Sequence, residues 1–208
     1  MKKSKRAKKS RTWVIKQHRD QFFKKAKVLG YRSRAAFKLL EINKKFNFIK
    51  RNSNLLDLGS TPGGWSQVAS KIISNGKILA IDITPMEKIK NVTFLNTDFL
   101  AEESQKKIFN IFGKKIDVII SDMAENTTGN KSIDSIRTNN LCSMVINFSL
   151  DILSRHGTLI CKLFMGEDFL DVKNLAKKSF KKVDFFKPES SRSESKETYI
   201  ICSSLKTL

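Results

Sequence analysis

From residue 54 onward, short runs rich in Leu, Ile, Val and Phe alternate with longer stretches in which apolar residues return every three or four positions. These are the periods of strands and helices. The runs predict strands near 54–58, 77–83, 92–96, 117–121, 158–164, 182–186 and 198–203, and helices near 65–74, 102–112, 133–154 and 168–180. Strands that alternate with helices indicate an α/β fold with a Rossmann-like, mostly parallel sheet of seven strands and helices on both faces. No helical stretch separates the last two strands, so they are expected to pair antiparallel, one of them as an antiparallel edge strand.

Upstream of residue 52 the pattern changes. Residues 1–12 are rich in Lys, Arg and Ser without any apolar period, and such a segment is expected to lack fixed structure on its own. Residues 13–29 interleave basic side chains with Trp13, Val14, Ile15, Phe22, Phe23, Val28 and Leu29, as in an amphipathic segment. Ser33 is placed to cap a helix whose apolar positions Ala36, Phe37, Leu40 and Phe46 bracket Lys38. The chain of 208 residues is therefore expected to comprise a basic, partly disordered extension over 1–30 and one catalytic-sized domain over 31–208.

Charge sharpens this division. The net charge is +20, of which residues 1–51 contribute +17, leaving +3 for the remainder. A nearly neutral body with a cationic front end suits a polyanionic partner, because neutralising phosphates releases their counterions. The opening run lacks the apolar stretch of a signal peptide, and no segment reaches 18 consecutive apolar residues. A cytoplasmic protein is expected, without a membrane partner. Cys142, Cys161 and Cys202 stand singly among apolar residues, and His18 and His156 are far apart, so reduced core thiols are expected and no metal site.

Candidate chemistry begins at Asp57-Leu58-Gly59-Ser60-Thr61-Pro62-Gly63-Gly64-Trp65, where the first strand should pass into the first helix of the sheet. Open parallel sheets bind ligands at such a junction. The spacing is not the GxGxxG of dinucleotide enzymes, which demotes an NAD-dependent dehydrogenase. Asp82 closes the second strand, positioned for the hydroxyls of an adenosine ribose, and Asp98 follows the third, positioned for the adenine amine. No Lys or Arg occurs between Asn52 and Ala69, so a cationic ligand suits the loop better than a phosphate. Gly59, Pro62, Gly63, Trp65, Asp82, Asp98 and Asp122 form the candidate cofactor set.

The chain closely resembles the FtsJ/RrmJ family of ribose 2'-O-methyltransferases. The resemblance is carried by the run from Gly30 to Leu39, by Asp57-Leu58-Gly59 through Gln67, by Ser121-Asp122-Met123-Ala124, and by Lys187-Pro188 through Ser193. It implies S-adenosyl-L-methionine as cofactor, no metal, and a catalytic set of Lys38, Asp122, Lys162 and Glu197. Lys162 lies inside the apolar run Leu159-Ile160-Cys161-Lys162-Leu163-Phe164, where a buried amine beside a second cation could shed its proton and serve as base toward a ribose hydroxyl. Lys38 would be that cation and would orient the ribose, with Asp122 and Glu197 as orienting partners. In the other reading Lys162 stays charged and positions the hydroxyl. Ser60-Thr61 and Glu125 stand where relatives usually show Ala-Ala and Pro.

The basic leader and the length resemble the branch that methylates a uridine of 23S rRNA. This implies the large ribosomal subunit as partner, with Lys24, Lys25, Lys27, Arg32 and Arg34 as candidate RNA contacts and a monomer as the working form. Two alternatives stay open at this point: a transfer-RNA ribose methyltransferase, and a non-catalytic RNA-binding assembly factor.

Overall fold

A computed structural model describes residues 20–112, 116–125, 128–166 and 168–206. In chain order the elements are α1 (Gln21–Val28), α2 (Ala35–Phe46), β1 (Leu55–Leu58), α3 (Gly64–Ile72), β2 (Ile78–Asp82), β3 (Thr93–Asn96), α4 (Glu102–Phe112), β4 (Ile116–Ser121), α5 (Lys131–Ile152), β5 (Leu153–Phe164), α6 (Phe169–Ser179), β6 (Phe180–Phe186) and β7 (Glu197–Leu205). The seven strands form one sheet in the order β3-β2-β1-β4-β5-β7-β6. β1 to β5 pair in parallel, and β7 runs antiparallel to both β5 and β6. The antiparallel strand thus lies one place in from the edge, with β6 outermost.

The sheet separates two apolar cores. On one face Ile108 of α4, Val145 and Ile146 of α5, and Val172 and Ala176 of α6 close over Leu56, Leu58, Ile119 and Leu159. On the other, Leu39 and Ile42 of α2 and Trp65, Val68 and Ala69 of α3 close over Leu55, Val118, Ile120, Ile160 and Ile201. The central strands are buried on both faces, which is why they read as continuous apolar runs rather than alternating ones. All three cysteines are free and buried in the first of these cores or at its strands.

Three boundaries differ from the sequence-based expectation. α5 ends at Ile152 and β5 begins at once with Leu153, five residues before the strand start expected at 158. Leu153 pairs with Ile116 and a register shift follows, so an irregularity in the ladder replaces a loop. Ser33 does not cap α2: Arg34 holds that place with helix-like dihedrals and no side-chain cap, while Ser33 Oγ is buried without a hydrogen-bond partner among the described residues. Within 13–29 the helix begins only at Gln21, capped by Asp20, whose carboxylate accepts the amides of Phe22 and Phe23 at 3.0 and 3.2 Å. Trp13, Val14 and Ile15 lie outside the described residues.

Among the described residues no helix is long and apolar enough to cross a membrane, and no group of three or more His, Cys, Asp or Glu is arranged to hold a metal ion.

Candidate active site

The strand order reverses between β1 and β4, and a cavity of about 720 Å³ opens at the carboxyl ends of the strands on either side of that point. Its wall is built from Gly59 and Thr61 after β1, Asp82 and Thr84 at the end of β2, Asp98 after β3, Asp122 and Met123 after β4, and Arg137, Leu141 and Met144 of α5. Gly59 has φ +70°, and a Cβ on it would lie 2.0 Å from Met123 Cγ. Only glycine meets both demands there.

Of the candidate cofactor set, Gly59, Asp82, Asp98 and Asp122 stand on the cavity wall, whereas Pro62, Gly63 and Trp65 do not. Gly63 turns the chain into α3 at φ +107°. Trp65 is buried, donates its indole N–H to Ala35 O at 2.8 Å, and packs its ring on Tyr199. The wall acids also serve the backbone. Asp82 accepts the amides of Thr61 (2.8 Å) and Thr84 (2.7 Å), and Asp98 accepts that of Leu100 (2.9 Å). Each carboxylate retains further lone pairs toward the cavity.

Beneath the loop, Asp57 is buried and accepts the Ser66 hydroxyl at 2.6 Å. Burial pushes its pKa up to about 7 against the Ser66 bond, with Asp122 and Asp82 adding to the rise. Asp57 thus places a buried, titrating acid directly beneath the carboxylates of the wall. Four wall carboxylates, Asp82, Asp98, Asp122 and Glu125, a glycine turn and a cavity of this volume suit a cationic, nucleoside-sized ligand.

At one end of the cavity four charged side chains converge from distant parts of the chain. Lys38, Lys162 and Glu197 are only 9, 7 and 9% exposed. Lys38 Nζ donates to Glu197 at 2.9 Å and lies 3.5 Å from Asp122 Oδ2. Lys162 Nζ lies 2.8 Å from Asp122 Oδ1, 3.9 Å from Glu197 Oε2, and donates to the backbone carbonyl of Asp122 at 2.6 Å.

The fold explains the meeting. α2 presents Lys38 inward between Phe37 and Leu39, and β4 ends as Asp122 begins. On the paired strands β5 and β7, Lys162 lies opposite Tyr199 and Phe164 opposite Glu197, so all four share one face of the sheet.

Two carboxylates compensate two ammonium groups. Burial favours a neutral Lys162, but Asp122 and then Glu197 outweigh it and hold its pKa above the ordinary lysine value. Burial likewise opposes ionisation of Asp122, and Lys162 and Lys38 reverse that, holding it below the ordinary carboxylate range. Of the two readings of Lys162, this direction favours the one in which it stays charged, with Asp122 at 2.8 Å and Glu197 at 3.9 Å outweighing its burial.

Sequence reasoning passed over Tyr199 and Ser191. The Tyr199 hydroxyl donates to Asp122 Oδ1 at 2.5 Å, and Ser191 Oγ donates to Glu197 Oε1 at 2.7 Å. Burial, then Asp122 and Glu197, push the phenol far above its ordinary value, so it remains a donor. Strand alternation could have found Tyr199, two residues after Glu197 and hence on the same face. Ser191 lies inside the family-like run from Lys187 to Ser193, but nothing in that run's spacing singles it out.

The candidate RNA contacts fall into two groups. Lys24, Lys25 and Lys27 are exposed on α1. Arg34 bonds to Asp20 and to the carbonyl of Ser190 and lies over the Phe22 ring. Arg32 donates to the carbonyls of Pro62 (3.3 Å), Glu87 (2.7 Å) and Lys88 (2.8 Å). Both guanidinium groups are thus engaged within the protein.

Comparison with known proteins gives a consistent picture. The profile described as FtsJ-like methyltransferase matches residues 31–205. A protein of Pelagibacter ubique (strain HTCC1062) named Ribosomal RNA large subunit methyltransferase E is 45% identical over 197 residues, covering 95% of this chain and 97% of that one. The protein of the same name from Rickettsia akari (strain Hartford) is 45% identical over 203 residues, covering 95% and 89%. Among solved structures, one described as a ribosomal RNA methyltransferase from Plasmodium falciparum superposes with a TM-score of 0.76 at 34% identity, over 84% of this chain and 98% of that one. The Methanococcus jannaschii fibrillarin, at 18% identity and a TM-score of 0.57 over 77% and 70% of the two chains, shares the fold.

Proposed function

The chain belongs to the FtsJ-like methyltransferase family, and from that premise we propose that it methylates a ribose 2'-hydroxyl of large-subunit ribosomal RNA, at a uridine of the 23S molecule. The observation that carries this reading is the buried Lys38–Asp122–Lys162–Glu197 cluster at one end of an acid-walled cavity. When bound there, S-adenosyl-L-methionine supplies an electrophilic methyl group on a positively charged sulfur. Asp82 and Asp98 would hold the nucleoside end through its hydroxyls and amine. Gly59, with Pro62, Gly63 and Trp65 shaping the turn behind it, would let the backbone approach closely.

Only RNA offers the 2'-hydroxyl. That oxygen is a weak nucleophile, and it must be aligned with the methyl carbon and lose its proton as the new C–O bond forms. Lys162 Nζ is the proposed acceptor of that proton, and Lys38 the donor that orients the ribose oxygen. Asp122 and Glu197 fix both amines, and Tyr199 and Ser191 fix the carboxylates in turn. Because Lys162 is held as an ammonium in the free protein, it acts as base only in the fraction of molecules that has released its proton, which ties the rate to pH.

The relatives' names supply the substrate, large-subunit ribosomal RNA. Lys24, Lys25 and Lys27 are proposed to contact its phosphates, and residues 1–30 to form the extension that carries them.

The test is transfer of labelled methyl from S-adenosylmethionine to large ribosomal subunits lacking ribose methylation, with the labelled nucleotide mapped and Lys162→Ala run in parallel. Label on one uridine 2'-oxygen that disappears in the variant is the expected result. Label on transfer RNA alone, or none on any RNA, would overturn the proposal.

A further inference from the structure

Arg32 was expected to meet RNA, yet its side chain spans the two loops that wall the cavity. Three of the five N–H groups that a guanidinium carries are committed: Nη1 to Pro62 O and Glu87 O, and Nη2 to Lys88 O. Its own amide donates to Gln67 Oε1 on α3 at 2.7 Å, and Gln67 Nε2 donates back to Gly30 O at 3.2 Å. The residue is therefore fixed at both ends.

The segments it joins are loops, held to each other at a few points. Between the end of β2 at Asp82 and the start of β3 at Thr93 there is neither helix nor strand. On the cavity side this segment is tied to the glycine loop by Asp82, which accepts Thr61 N, and by Thr61 Oγ1, which donates to Thr84 O at 2.8 Å. On the far side the link is Arg32. Between the two ties, Met86 and Ile89 lie against Gly63 so closely that a Cβ on the glycine would sit 2.9 Å from Met86 Sδ and 2.7 Å from Ile89 Cδ1. The ion pair of Arg32 with Glu87 is 4.0 Å long, with the Glu87 side chain 94% exposed, and adds little. The backbone carbonyls are the anchors.

We propose that Arg32 is a positioning residue for the cofactor cleft: its guanidinium fork sets the spacing of the glycine loop and the segment after Asp82, and thereby the placement of Thr61, Asp82 and Thr84 on the cavity wall. The proposal rests on the cofactor reading of that cavity. A lysine keeps the charge and three N–H donors, but on one compact nitrogen, without the planar fork whose two terminal nitrogens reach Pro62 O, Glu87 O and Lys88 O together. Charge-conserving substitution therefore separates a clasp from a phosphate contact.

The experiment compares the full chain with Arg32→Lys and Arg32→Ala. S-adenosylhomocysteine binding is measured by calorimetry without RNA, and ribosomal RNA binding is measured without cofactor. A clasp built on three hydrogen bonds to one charged group predicts that both variants weaken S-adenosylhomocysteine binding by about tenfold or more. KM for S-adenosylmethionine rises while kcat at saturation changes by less than about twofold. Amide exchange over 84–90 quickens, and RNA affinity without cofactor stays unchanged. If Arg32→Ala fails to fold, Arg32→Lys decides alone. Native-like S-adenosylhomocysteine affinity in Arg32→Lys, or a loss of RNA affinity with cofactor binding intact in Arg32→Ala, would overturn the clasp. Failure of the unsubstituted chain to bind S-adenosylhomocysteine would instead overturn the reading of the cavity on which it stands.

Discussion

At the scale of single residues, the site is a balance of two buried ammonium groups against two buried carboxylates, and its pH behaviour follows from that balance. Asp122 and Glu197 hold the pKa of Lys162 above its ordinary value, so near neutrality almost every free molecule carries the proton. If Lys162 must be neutral to accept the ribose proton, kcat/KM for RNA rises about tenfold per pH unit from 7 to 9 without levelling below the ordinary lysine value near 10.5. A flat profile would leave Lys162 charged, orienting the oxygen while the proton leaves elsewhere. Lys162→Ala is expected to lower kcat roughly 10²- to 10⁴-fold, the span of a lost general base. Tyr199→Phe removes only the hydroxyl that donates to Asp122 and keeps the ring that packs on Trp65. Its expected cost is about tenfold in kcat with the melting temperature shifted by a few degrees at most, read by single-turnover transfer and thermal melting.

At the scale of elements, the junction of β1 and α3 joins the loop to a buried acid. Asp57 has a pKa of about 7 in the fold, pushed there by burial. A carboxyl whose folded pKa is raised binds a proton that the unfolded chain has already released, so its ionisation costs stability as pH climbs from about 4 to 7. Asp57→Asn has no such cost, and its Oδ1 can still accept from Ser66. Its stability relative to the native chain should therefore improve between pH 5 and pH 8 by on the order of 2 kcal/mol, measured by urea unfolding at both values; a constant difference would refute the assignment.

These junctions also show how far the sequence could be read. The seven strands and the helices over them announced themselves through apolar runs and the 3.6 period, because the central sheet is buried on both faces. The join of α5 to β5 was hidden, since the apolar run placed the strand's start at 158 and only the pairing of Leu153 with Ile116 shows that the strand has already begun. The four charged residues were legible through the family's motifs. By spacing alone Lys162 was conspicuous inside its apolar strand, and its meeting with Lys38 and Glu197 was not, because 124 residues of chain separate it from Lys38 and 35 from Glu197. Arg34 was named as a candidate RNA contact, and its intramolecular acceptors, Asp20 and Ser190, were not legible because they lie on separate elements.

At the scale of the molecule, the charge is concentrated at the front of the chain while the catalytic cluster is gathered from its whole length, and one carboxylate keeps α1 in register with that cluster. Asp20 caps α1, binds Arg34 and lies 3.9 Å from Arg192 Nε on the β6–β7 loop, the loop whose Ser191 holds Glu197. The helix bearing Lys24, Lys25 and Lys27 is thus oriented against the catalytic end of the sheet, while most of the +20 charge lies in the first 51 residues. Phosphate contacts announce themselves in the salt dependence of binding, each one contributing a little under one unit to the slope of log affinity against log salt. Replacing Lys24, Lys25 and Lys27 together by Ala should therefore flatten that slope by roughly 2 to 3 and raise KM for RNA, leaving S-adenosylhomocysteine affinity and kcat at saturating RNA unchanged. Asp20→Ala keeps all three lysines but frees the helix that presents them. If orientation matters as well as charge, its slope stays near that of the native chain while its RNA affinity falls and amide exchange over 21–28 quickens. Equal affinity in Asp20→Ala and the native chain would mean that the lysines act as a diffuse cationic cloud, and that no fixed register between helix and catalytic end is needed.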